Sequence, residues 1–101
     1  MKILLNRAMI MMALSLLPMG LAHADVVSKY ENTCATCHEP NNDFNAPAKG
    51  DTARWNQLKI QKGTDGLVRS VAQGTSQMPA MGLCQSCSHD DFAKLIDYMS
   101  Q

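Results

Sequence analysis

A chain of 101 residues with nine Lys/Arg against nine Asp/Glu has room for one small domain and little else. Setting residues 1–24 apart leaves seven basic and nine acidic side chains, a net charge of −2, with no basic surplus for nucleic-acid binding. There are no internal repeats and no low-complexity segment.

The chain opens on what reads as a secretory leader. Lys2 and Arg7 make a positive start, Ala8 to Leu21 an apolar run, and Ala22-His23-Ala24 a small-x-small site, so cleavage is expected before Asp25. A retained anchor is the alternative. The apolar run, however, is shorter than the roughly 20 residues that span a bilayer, and Pro18-Met19-Gly20 interrupts it. Export predicts a periplasmic domain over residues 25–101, not membrane-spanning, in a compartment where disulfides persist. Five methionines (1, 9, 11, 12 and 19) leave with the leader, so Met78, Met81 and Met99 remain to be explained. A domain this short buries a limited core and needs a staple.

Val26, Val27, Tyr30, Cys34 and Cys37 recur at helical spacing, which predicts a helix from Asp25 to about Thr36. Glu39 to Gly50, rich in Asn, Pro and Gly, reads as loop. Asp51 is expected to cap a short helix through about Leu58, with a break at Gln61 to Gly63. A further helix from Thr64 or Asp65 carries Leu67, Val68, Val71 and Ala72 on one face and stops at Gly74. Thr75 to Cys87 is predicted to be a structured loop. Ser88, with Asp91 three residues on, forms a capping box for a last helix. Phe92, Leu95, Ile96 and Met99 make its apolar stripe. No stretch alternates like a strand.

The chemistry is concentrated in Cys34-Ala35-Thr36-Cys37-His38. Cys-x-x-Cys-His is the attachment motif of haem c. Two thiols at this spacing reach the two vinyl groups as thioethers, and the next residue, His38, lies under the iron as an axial ligand. Three other readings of these cysteines compete. A simple disulfide leaves His38 unexplained. A thioredoxin-like pair needs a βαβ pattern, which is absent. A zinc site shared with Cys84 and Cys87 needs ligand pairs much closer in sequence than these.

A carrier of single electrons gains from a six-coordinate iron, and Met is the usual partner of His. Met99 belongs to the apolar stripe. Met78 and Met81 sit 40 and 43 residues after His38, far enough along the chain to cross to the other haem face. Met78 is favoured because Pro79 holds it extended, and Met81 stays as the alternative. His89, at the first turn of the last helix, is expected to be exposed. Cys84-Gln85-Ser86-Cys87 is followed by Ser88 and not by His, so a second haem is not expected. In an oxidising compartment the pair is read as a local disulfide that stiffens the methionine loop, with a redox-active dithiol as the alternative.

These residues resemble class I cytochromes c, and most closely the cytochrome c5 group, over essentially all of residues 25–101. The carriers are Thr33 to His38, Ala46 to Asp51, Met78-Pro79, Gly82 to Cys87 and Ile96 to Met99. The resemblance implies a small all-α fold of about four helices around one covalently bound haem, with the first and last helices crossing. It also implies Met78 as distal ligand and the Pro47 carbonyl as acceptor for the other ring nitrogen of His38. Trp55, Arg54 and Lys49 become candidates to meet the haem propionates. One departure is Ala80-Met81-Gly82-Leu83, which puts a second methionine into the ligand loop.

The expected function is one-electron transfer in a respiratory chain, with no substrate chemistry. The expected partners are a redox donor and an acceptor such as a terminal oxidase or reductase, the chain itself being a monomer or weak dimer. The alternatives are a haem-bearing subunit of a larger oxidoreductase complex, and a haem-based sensor or peroxidase with an open iron site. The latter would need a distal acid–base residue, and the sequence offers none.

Overall fold

A computed structural model describes residues 23–101. The predicted leader falls outside the described residues except for its last two positions. The first helix, α1, is α-helical over 23–29, π-helical over Tyr30–Cys34 and α-helical again over Ala35–His38. The wide turn has a local cause. The Thr33 hydroxyl donates to the Lys29 carbonyl at 2.6 Å, and the Ala35 N–H reaches back to the Tyr30 carbonyl. The helix runs two residues past the predicted end and stops at His38, because Glu39 precedes Pro40 and is extended (φ −69°, ψ 157°).

Helix α2, Thr52–Gln73, is the two predicted helices joined at a kink. Asp51 caps it through the Arg54 N–H (3.3 Å). At Gly63 the backbone takes φ 71° and ψ 162°, a conformation only glycine adopts without strain, so the expected break is real. The first half runs beyond Leu58 to reach it. Gly74 stops the helix as predicted, at φ 81°. A 3-10 turn, Ala80–Leu83, lies within the methionine loop. Helix α3, His89–Met99, starts with the predicted capping box. Ser88 Oγ accepts from the Asp91 N–H at 3.1 Å, and Asp91 Oδ2 accepts from the Ser88 N–H at 2.9 Å. The fold is all-α, with no strand among the described residues.

The core is the α3 stripe and what covers it. Phe92, Leu95 and Ile96 are each 2 % exposed, packed with Tyr30, Trp55, Leu67, Val68 and Met99. Burying each such side chain contributes about 1.5–3 kcal/mol. The first and last helices meet edge to face through Tyr30 and Tyr98, with ring centroids 5.3 Å apart. Lys29 spans both helices, 2.9 Å from Asp25 Oδ2 and 3.3 Å from Asp91 Oδ1. The end of α3 is clasped by the Gly50 N–H on the Met99 carbonyl and by Lys59 Nζ on Ser100 Oγ, both at 2.8 Å.

Candidate haem site

The end of α1, the loop after it, both halves of α2, the methionine loop and the end of α3 line a mainly apolar cavity of about 470 Å³, within the range of small-molecule and cofactor sites. His38 enters it from the last turn of α1 and is only 8 % exposed. Its Nδ1 lies 2.8 Å from the Pro47 carbonyl, the contact implied by the resemblance. A carbonyl can only accept, so Nδ1 carries the proton, and in the neutral ring Nε2 then has the free lone pair. The His38 carbonyl accepts from the Lys49 N–H (2.8 Å) and the Tyr30 hydroxyl (3.3 Å), which fixes the backbone beneath the ring.

Met78 reaches the same cavity from the opposite side in sequence. It also borders a small adjoining recess together with Cys34, Cys37 and His38, so two thiols, an imidazole and a thioether converge there. Met81 lines neither space. It sits at φ 69° and packs against the core. Met99 is buried within the stripe and forms part of the cavity wall. His89 is exposed, as expected. Burial pushes the Cys34 thiol up from its ordinary value, opposed in part by the Thr33 hydroxyl 3.5 Å from its sulfur.

Three neighbours hold Met78. Thr75 clamps its backbone at both ends: the Thr75 N–H donates to the Met78 carbonyl (2.8 Å), and Thr75 Oγ1 accepts from the Met78 N–H (3.1 Å). Gly82, at φ 56°, faces the Met78 methyl so closely that an added Cβ would lie 2.9 Å from it. A Cβ on Gly74 would lie 2.7 Å from the Ala80 backbone nitrogen. The sequence reading missed Thr75, although a threonine three residues before Met-Pro is a legible hydroxyl-turn signal.

The Cys84 and Cys87 sulfurs lie within bonding distance of each other, their Cα atoms 5.4 Å apart, and both residues are buried. Among the described residues no three His, Cys, Asp or Glu side chains form a group able to hold a metal ion.

The propionate candidates divide. Arg54 lines the cavity, with Nη2 on the Asn45 carbonyl at 2.8 Å. Trp55 also lines it, but its N–H donates to the Ala48 carbonyl (2.9 Å) and its ring packs 5.9 Å from that of His38, so it serves as a wall. Lys49 does not line the cavity. Its ammonium sits 4.6 Å from the Tyr98 ring centroid, where the cation–π contact holds it.

The cavity suits a haem. With the recess that adjoins it, it offers an imidazole, two thiols not engaged with any other cysteine, and apolar walls. An all-α domain with that site is a c-type cytochrome domain. A family model described as cytochrome C oxidase, cbb3-type, subunit III, matches residues 22–99, and the chain belongs to that family, whose domains bind haem c. The match does not single out the cytochrome c5 group. No curated protein matches the chain.

Proposed function

We propose that residues 1–24 export the chain and are removed, and that residues 25–101 act in the periplasm as a one-electron carrier of the cytochrome c5 type in a respiratory chain. Domains of this family serve haem-based electron transfer. Cys34 and Cys37 would hold the haem as thioethers, and His38 and Met78 would take the two axial positions. Bound haem c supplies an iron that gains and loses one electron. The protein's residues do the rest. His38 presents Nε2 because the Pro47 carbonyl holds the opposite proton. Thr75 and Gly82 fix the Met78 backbone and methyl. Leu58, Leu67 and Ile96 are among the side chains that keep water from the cavity. A disulfide between Cys84 and Cys87 ties the loop to the start of α3.

One observation carries this reading: Met78 lines the His38 cavity and Met81 does not. The test is the weak far-red absorption band that marks methionine sulfur on ferric haem. Met78→Ala removes the band and opens the reduced protein to carbon monoxide, while Met81→Ala keeps it. Loss of the band with Met81 instead, or its absence from the wild type, refutes the assignment. A sensor or peroxidase is disfavoured because no carboxylate lines the cavity among the described residues.

A second reading is favoured by the name of the matched family, that of an oxidase subunit. In it the chain docks in a larger complex as its haem-bearing subunit. Among the described residues no helix is long and apolar enough to cross a membrane. Co-sedimentation of the native chain with solubilised oxidase distinguishes the readings: a carrier separates from it at moderate salt, whereas a subunit stays.

A further inference from the structure

We propose that Asn42 is the positioning residue of the loop beside His38: its carboxamide sets the Pro47 carbonyl on His38 Nδ1 and so tunes the ligand nitrogen. The inference rests on reading His38 as an iron ligand. Asn42 uses its whole amide. Nδ2 donates to the carbonyls of Glu39 (3.0 Å) and Ala46 (3.1 Å), and Oδ1 accepts from the N–H groups of Phe44 and Ala46, both at 3.1 Å. That saturates its two donors and two lone pairs. The segment it closes has no regular structure, and Asn41 (φ 62°) and Asn45 (φ 55°) both lie in the left-handed region, which asparagine tolerates in turns.

The link to His38 runs through Ala46. Both backbone polar groups of Ala46 bond to the Asn42 side chain, and Ala46 immediately precedes Pro47. Pro47 has no N–H of its own. Its carbonyl is therefore placed by the residues around it, and the Asn42 amide is the group that holds the residue just before. Oriented this way, the carbonyl draws the Nδ1 proton and gives the ring more imidazolate character. A more basic ring is a stronger donor and favours ferric iron. Loosening the loop weakens that contact, raises the reduction potential and frees the proton to exchange.

The experiment measures exchange of the His38 Nδ1 proton with deuterated water by NMR on the reduced holoprotein, together with the reduction potential. Asn42→Ala is expected to speed exchange about tenfold or more, the scale of outer-shell substitutions at metal ligands, and to raise the potential. Asn42→Asp keeps both acceptors and loses both donors. It sets an oxygen against the Glu39 and Ala46 carbonyls, so exchange again speeds up, and exchange alone decides the matter where Asn42→Ala does not assemble. Lys59→Met, which removes the Lys59–Ser100 contact and none of the hydrogen bonds of Asn42 or Pro47, lowers the melting temperature and leaves exchange unchanged. The inference is overturned if the Asn42 variants melt earlier with exchange and potential unmoved, or if Lys59→Met moves exchange equally. Failure of the underlying reading looks different: the wild type then shows no ring-shifted imidazole proton.

Discussion

His38 and Met78 face one cavity but are held by unlike means. His38 ends a helix, its carbonyl takes two hydrogen bonds and its ring a third, and all the partners lie within 11 residues of it in sequence. Met78 lies in a loop with left-handed backbone at Met81, Gly82 and Leu83, held by Thr75, two glycines and a pair of buried cysteines. The proximal side is thus a matter of local chain geometry. The distal side depends on close packing between segments, and it should fail first.

Gly74→Val tests this most severely. The added side chain meets the Ala80 backbone and the residue must keep φ 81°, at a cost of about 3 kcal/mol. Denaturant titration followed at two wavelengths should show the far-red band lost well before the main haem absorption. Coincident loss would erase the distinction between the two sides. Replacing Cys84 and Cys87 together by serine is milder. The loop between them is short, so the chain-entropy relation gives about 1–2 kcal/mol. On warming, the far-red band should fade earlier than in the wild type while the His38 Nδ1 proton stays protected. An unchanged band would mean that the pair does not brace the loop.

The smallest effect concerns pH, and it maps neither side of the cavity. The Ser88 N–H, with Lys29 behind it, holds the Asp91 carboxyl below the usual carboxylate range. The charged form is favoured in the folded state. Its contribution is therefore complete above the ordinary aspartate value and is lost as pH falls through the lowered one. Melting temperatures of wild type and Asp91→Asn should converge in acid and diverge toward neutrality. A constant gap would show that the charge of Asp91 plays no part.

Legibility follows the same division. That Cys34, Cys37 and His38 share one recess could be read directly from their spacing on a single helix end, and the α3 stripe and capping box from helical period and hydroxyl geometry. The break at Gly63 and the stop at Gly74 were visible for the same reason: positive φ calls for glycine. The roles of Met78 and Met81 were not separable by spacing alone. They diverge because Met81 is turned away by a left-handed backbone that no local propensity announces. Lys49, a propionate candidate in the sequence, does not line the cavity, and its ammonium lies over Tyr98, 49 positions later. Asn42 sat unremarked in a loop whose composition named it only as a turn.

The π-helical turn at Tyr30–Cys34 carries a consequence for how this chain tolerates change in length. It holds one more residue than an α-turn would, and one residue in an α-helix is about 100° of rotation. Tyr30, on one side of that turn, faces Tyr98, while Cys34, Cys37 and His38, on the other, face the haem recess. Deleting a single residue between them would restore a regular helix and swing the amino-terminal segment around its axis, so that one face is satisfied only by forfeiting the other. The turn is a phase adjuster between two surfaces, and in this helix geometry sets the residue count.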